Sequence, residues 1–256
     1  TACPVGKNCG TIPDGCGGTL TCGACIAPQT CAGGGVANVC GVPALSGVNT
    51  YQAGVSGPAG SANVDTYLRL SALTTNNGTT QDVIVGLTNA ANKVNRALMA
   101  FNLSDIPAGA TIHGCSLQVN VLQSTSPTPG HINRLCGEHW LDGDGQGELQ
   151  ATWNNWQTPS PWTLAGAGAA TADCTLGGDY STVGALPYTP PTATGAFAFP
   201  DLTALCQDAT TLRGGWLRLR LSQDSEATQS NLIRFDSSEG GTPANRPKLT
   251  VTWTVP

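Results

Sequence analysis

Trp216-Leu217-Arg218-Leu219-Arg220-Leu221 alternates apolar and charged side chains without a break after its leading tryptophan. A strand turns successive side chains to opposite faces. Leu217, Leu219 and Leu221 therefore line one face, and Trp216, Arg218 and Arg220 the other. Lys248-Leu249-Thr250-Val251-Thr252-Trp253 has the same period, with Leu249, Val251 and Trp253 inward. Cys115-Ser116-Leu117-Gln118-Val119-Asn120-Val121 repeats it, with Ser116, Gln118 and Asn120 outward. Residues 82–86, 94–101 and 231–235 are further strand candidates. Asn76-Asn77-Gly78, Pro107-Ala108-Gly109 and Glu239-Gly240-Gly241 supply turns between them. Only residues 202–209 suggest a short helix. Many short strands with one apolar face predict an all-β fold, an antiparallel β-sandwich.

The N-terminal region follows different rules. Cys3, Cys9, Cys16, Cys22, Cys25, Cys31 and Cys40 sit among Gly, Thr, Pro and Ala, with hardly an aliphatic run. Such a segment buries too little apolar surface to hold itself folded, so covalent bridges must do it. Cys22-Gly-Ala-Cys25 has zinc-ligand spacing, but no second such pair follows. The histidines, His113, His131 and His139, lie far downstream, so disulfides are the expectation. Cys115, Cys136, Cys174 and Cys206 complete a total of 11. All are read as disulfide cysteines, although an odd total leaves one thiol free or bonded to another molecule. The expected organisation is a disulfide-knotted head over residues 1–41, an uncharged linker or extended arm over 42–62, and a sandwich over 63–256.

Composition narrows the function classes. The 256 residues carry a net charge of −5 with only 11 Lys and Arg, which argues against nucleic-acid binding. No apolar stretch approaches the length of a membrane span. The start at Thr1, just before the first cysteine, reads as a mature N-terminus left by removal of an export signal. The expected location is secreted, extracellular or at the cell surface.

Several phrases of the body belong together: Asp65-Thr66-Tyr67-Leu68, Arg96 to Ser104 running into Ile106-Pro107-Ala108-Gly109, and Ala151-Thr152-Trp153-Asn154-Asn155. Gly177-Gly178-Asp179-Tyr180, Phe235-Asp236-Ser237-Ser238-Glu239 and Arg246-Pro247-Lys248-Leu249 continue the series. In that order they resemble the DNRLRE-type domain, a β-jelly-roll module of secreted bacterial and archaeal proteins related to carbohydrate-binding modules for alginate-like polysaccharides. The family tag is reduced here to Asn245-Arg246-Pro247. The head resembles cysteine-rich segments of secreted bacterial proteins. The resemblance implies a jelly roll and a bacterial surface or secreted module.

The Trp216, Arg218, Arg220 face is the leading ligand-binding candidate. An indole stacks on a sugar ring and guanidinium groups pair with carboxylates, so an acidic polysaccharide suits it. Gln118 and Asn120 add hydrogen bonds if their strand is adjacent. The plainer reading is a solvated face with Arg stems over apolar surface. Asp142, Asp144 and Glu148 open like a calcium loop, but Trp153 stands where an EF-hand needs Glu. Jelly-roll binding modules hold structural calcium, and Asp65, Asp179, Asp236 and Glu239 are the other candidate ligands. Trp140, Trp153, Trp156 and Trp162 read as core rather than as a sugar platform. His131, Arg134 and Tyr180 are the sort of residues an eliminating enzyme uses, but no nucleophile elbow, zinc-hydrolase motif or phosphate loop is present, and no catalytic residue is assigned. The expected function is a non-catalytic module that binds a polysaccharide or cell-surface glycan and serves adhesion. The alternative is a structural subunit of an extracellular fibre or coat, self-assembling through residues 42–62.

Overall fold

The computed structural model describes residues 2–57, 63–88, 93–136, 149–174, 177–226 and 231–255. The chain divides into two units. One comprises Thr1–Gly47, Gly109–Thr111 and Trp253–Pro256, and the other Val48–Ala108 and Ile112–Thr252.

The cysteine-rich head contains two small antiparallel pairs. In one, β1 (Thr11–Pro13) lies against β2 (Thr19–Thr21); in the other, β3 (Thr30–Cys31) lies against β4 (Cys40–Gly41). Three bridges, Cys3–Cys22, Cys9–Cys31 and Cys25–Cys40, cross-link it. Loops of this length are each worth about 3 kcal/mol through the restricted unfolded chain. The sulfurs of Cys9, Cys25 and Cys40 lie within 4.8 Å of one another, yet each is consumed by a bridge and cannot ligate a metal. Ten cysteines are paired, two more bridges being Cys115–Cys206 and Cys136–Cys174. Cys16, counted among the bridged, is instead exposed and unbridged within the chain.

The sandwich is built from β5 (Leu45–Gln52), β6 (Asn63–Arg69), β7 (Asp82–Leu87), β8 (Val94–Asn102), β9 (Thr111–Thr125) and β10 (Gly130–Arg134). An insertion follows with four short strands, β11 (Asn155–Gln157), β12 (Ser160–Pro161), β13 (Ala170–Thr171) and β14 (Tyr180–Ser181). The chain continues through β15 (Leu186–Tyr188), β16 (Gly195–Ala198), α1 (Thr203–Leu212), β17 (Trp216–Gln223), β18 (Asn231–Asp236) and β19 (Lys248–Val255). All six sequence-predicted strands are present, and the predicted helix extends to Leu212. Residues 45–52, within the stretch read as a linker or extended arm, form a strand in the same curled sheet as β19. Of the tryptophans, Trp253 is half-buried rather than inward.

The sheet runs in the order β15-β10-β17-β8-β7-β18-β9-β19-β5, with β6 also on β8 and β16 also on β9. It folds over at one corner. There β7 meets β8 only through Gly86↔Asn95 and Leu87↔Val94, whereas β8 pairs along its length with β6 and β17. The corner needs glycine: Gly86 has φ +99°, and an added Cβ would meet the Asn231 carbonyl oxygen. Asn95 donates to the Gly86 carbonyl at 2.9 Å, and the Leu87 amide donates to Asn231 at 3.0 Å. Two layers result, a front one of β6, β8, β17, β10 and β15, and a back one from β7 to β5.

Cross-strand partners share a face. On the front layer Met99, Leu219 and Phe101, Leu217 therefore face the back layer. The back layer answers with Val83, Val85, Ile233, Phe235, Leu117, Val119, Val121, Leu249 and Val251, all essentially without exposure. The opposite face of the front layer is also apolar. Val64, Leu68, Leu98 and Ala100 lie under Ala151, Trp153, Trp162 and Ala167 of the insertion, forming a second core. Trp153 and Trp162 are thus core residues as expected, but of this outer core, and Trp156 packs at its margin. Trp140 lies outside the described residues. No helix among the described residues is long and apolar enough to cross a membrane.

Two outcomes follow. Unreduced, denatured protein titrates one thiol, and Cys16→Ser removes it without moving the unfolding midpoint; a second titratable thiol contradicts the bridge pattern. Trp153→Ala opens the outer core and costs about 3–5 kcal/mol in urea unfolding.

Candidate functional site

The insertion does not cover the front layer completely. It leaves a cleft of about 440 Å³ between the outer face of β8, β17 and β10 and a roof that includes Gly168, Tyr180, Thr182 and Ala185. Register sets the floor. Arg220 stands opposite Leu98 of β8 on one side and Asn133 of β10 on the other, while Ser222 stands opposite His131. Arg96, two residues from Leu98 on the same face, closes one end. Tyr180, Thr182, Ala185 and Gly168 form the roof, and Asp224 and Glu226 a wall.

The roof is held by Asp179. Its carboxylate is buried and accepts hydrogen bonds from the amides of Thr163 at 2.8 Å, Leu164 at 3.0 Å and Ala169 at 2.8 Å. Asn133 donates its side-chain amide to the Ser181 carbonyl at 3.0 Å, fastening roof to floor. The Cys136–Cys174 bridge links the end of β10 to the same segment.

The lining holds two charged contacts and Arg220. Arg96 makes a two-pronged ion pair with Glu226, Nε to Oε1 at 2.9 Å and Nη2 to Oε2 at 2.7 Å. Its Nη1 donates to the Gly166 carbonyl at 2.7 Å, and its guanidinium lies 5.0 Å from the Trp153 ring centre. His131 Nδ1 lies 2.6 Å from Asp224 Oδ1 at the solvent edge. Arg220 is 4 % exposed, with its guanidinium 4.2 Å from the centre of the Tyr180 ring. Its Nη1 donates to Ser222 Oγ at 2.9 Å, whereas the buried Nε has no protein partner. Among the described residues no carboxylate forms an ion pair with it. Burial, with the like charge of Arg96 next, pushes its pKa down to about 10, so it stays cationic at neutral pH. The negative charges of Glu226 and Asp179 act on it in the opposite sense.

The sequence-predicted face is divided by this arrangement. Arg220 lines the cleft but is buried under the roof, not on an open face. Trp216 packs against the outer core, and Arg218, 5.7 Å from its ring, borders a separate cavity of about 20 Å³ with Asp208 and Arg213. That space is too small for a sugar. Gln118 and Asn120 are not adjacent: β8, β7 and β18 separate β9 from β17. They border a groove of about 70 Å³ beside Gln52, Arg246 and Lys248, and Asn120 donates to Asp236 at 2.8 Å. His131 and Tyr180 do come together in the cleft, but Arg134 pairs instead with Asp208 at 2.8 Å. Asn133, Ser222 and Arg96 were missed. For Asn133 the signal was the alternation of His131 and Asn133 about Ile132, in a run of five residues with a glycine at its head.

The metal candidates do not converge. Asp142, Asp144 and Glu148 lie outside the described residues. Asp65 accepts the Ser238 amide at 2.8 Å, Asp179 serves the roof, and Asp236 serves Asn120. Glu239 accepts from Ser238 Oγ, and burial raises its pKa. Among the described residues no group of three carboxylates or histidines comes within ligating distance of one point.

No family model matches the chain, and no curated protein matches its sequence. The likeness to DNRLRE-type modules therefore rests on the phrases quoted above.

Asp179→Ala removes the acceptor of three part-buried amides and is expected to cost about 2 kcal/mol or more in chemical unfolding. Loss of less than about 1 kcal/mol would mean the roof is held elsewhere.

Proposed function

We propose that the chain is an extracellular, non-catalytic module that binds a polysaccharide or cell-surface glycan in the cleft over Arg220. The observation that carries this reading is the Arg220 guanidinium lying against the Tyr180 ring at the edge of a space of ligand size. Pockets of a few hundred Å³ with a small number of converging polar groups are the usual form of small-ligand sites. Asn133, Ser222, Thr182 and His131 supply hydrogen-bonding groups, and the tyrosine ring an apolar face. The five disulfides suit an oxidising surrounding such as the extracellular space.

The state of the two acids supports binding over hydrolysis. Glu226 is held by Arg96 and Asp224 by His131, so neither is poised as the acid or base of a glycosidase pair. The assembly reading keeps a specific support over 45–52, since β5 is the end strand of its sheet beyond β19.

Affinity electrophoresis of the full chain through neutral and acidic glycans tests the proposal. At least one glycan retards the wild type, and Arg220→Met weakens that retention tenfold or more. His131→Ala, at the exposed edge, weakens it severalfold with an unchanged melting temperature. Unretarded migration in every glycan defeats the reading.

A further inference from the structure

The outer face of the back layer carries a second groove, lined by side-chain amides rather than by an aromatic ring. We propose that this groove takes the hydroxyl edge of a sugar unit. One chain then joins two glycan strands, a consequence that rests on the cleft over Arg220 being a glycan site.

Strand period places the groove. Leu117, Val119 and Val121 of β9 face the core, which turns Gln118 and Asn120 outward. On the neighbouring β16, Ala196 stands opposite Asn120 and Ala198 opposite Gln118. Cross-strand partners share a face, so methyl groups rather than larger side chains flank these amides. The other bank is the turn from Ala244 into β19, and it is held in place. Gln52, 5 % exposed, donates to the carbonyls of Ala244 at 3.2 Å and Arg246 at 2.8 Å. Arg246 donates through Nε to the Gly240 carbonyl at 2.8 Å and through Nη1 to the Ala53 carbonyl at 3.0 Å. The space between the banks, about 70 Å³, admits several water-sized groups.

The lining suits hydroxyls. Among the described residues the side chains of Gln118, Asn245 and Lys248 have no hydrogen-bond partner. Asn120 donates to Asp236 at 2.8 Å, which leaves its carbonyl oxygen to accept. A side-chain amide both donates and accepts, as a sugar hydroxyl does. Arg246 acts on Glu239, and Asp236 lies behind Asn120, so cations and acids both border the groove. Matched hydroxyl bonding, not charge, is what it offers. Among the described residues no aromatic ring lines it, so its hold on a sugar is weaker than that of the cleft, where Tyr180 stands. The cleft opens on the outer face of the front layer and the groove on the outer face of the back one. Packed sheets lie about 10 Å apart, so the two sites face away from each other and take different strands.

NMR titration of the full chain with xylohexaose and with a β-glucan hexaose tests this. With at least one of them the side-chain amide signals of Gln118 and Asn245 shift, in the wild type and in Arg220→Met alike. Ala196→Tyr, a change at an exposed position, fills the groove and abolishes those shifts, while the Asn133 signal in the cleft still moves. With the parent high-mass glycan the wild type gives turbidity. Ala196→Tyr and Arg220→Met each lower it about tenfold or more, since joining needs both sites. Sugar shifts confined to Asn133, or turbidity unchanged in Ala196→Tyr, would overturn the inference while leaving glycan binding in the cleft intact. Shifts confined to Gln118 and Asn245 support the groove and defeat the cleft. Shifts at neither site overturn both.

Discussion

The strand β8 is apolar on both faces, and the rest of the body is arranged around that fact. Met99 and Phe101 face the back layer, while Leu98 and Ala100 face the other way. A two-layer sandwich satisfies only the first pair. The second requires a third layer, which the insertion between β10 and β15 provides through Ala151, Trp153, Trp162 and Ala167. The cleft exists because this cover is complete over Leu98 and Ala100 but leaves a space over Arg220. One strand's hydrophobicity thus determines both the extra core and the space at its margin.

A cover made of loops and very short strands has few ladder hydrogen bonds of its own, so its backbone groups must be satisfied otherwise. Asp179 performs that task for three amides and Asn133 for the Ser181 carbonyl. Arg96 contributes from below by donating to the Gly166 carbonyl. Polar side chains that looked like candidate ligands for a cation or a sugar are in part the fasteners of the roof. These bonds fix the roof over the floor.

How much of this was legible depends on the range of the signal. The alternation of residues 216–221 correctly placed Leu217, Leu219 and Leu221 in the core, because strand period is a local property. It assigned Arg220 to an open face, because period says which face a residue takes and nothing about what later covers that face. The run Ala97-Leu98-Met99-Ala100-Phe101 held the missing information: an unbroken apolar strand is covered on both sides. The separation of Gln118 and Asn120 from Trp216 was hidden for a related reason, since strand order arises from long-range pairing. Asp179 was visible as an acid beside a double glycine, but three amides reaching it from residues 163–169 were not.

The bridge between Cys136 and Cys174 spans 38 residues and joins the last turn of the cleft's floor to its roof. A thiol pair holds nothing together, so the enclosure depends on the surroundings having oxidised it. A reduced chain has the strands of the floor but lacks this tie, which borders the small cavity beside Arg134 and Arg218. Oxidation thus fixes the segment around Cys174 to the end of β10, and the body's covalent framework is complete only in an oxidising surrounding.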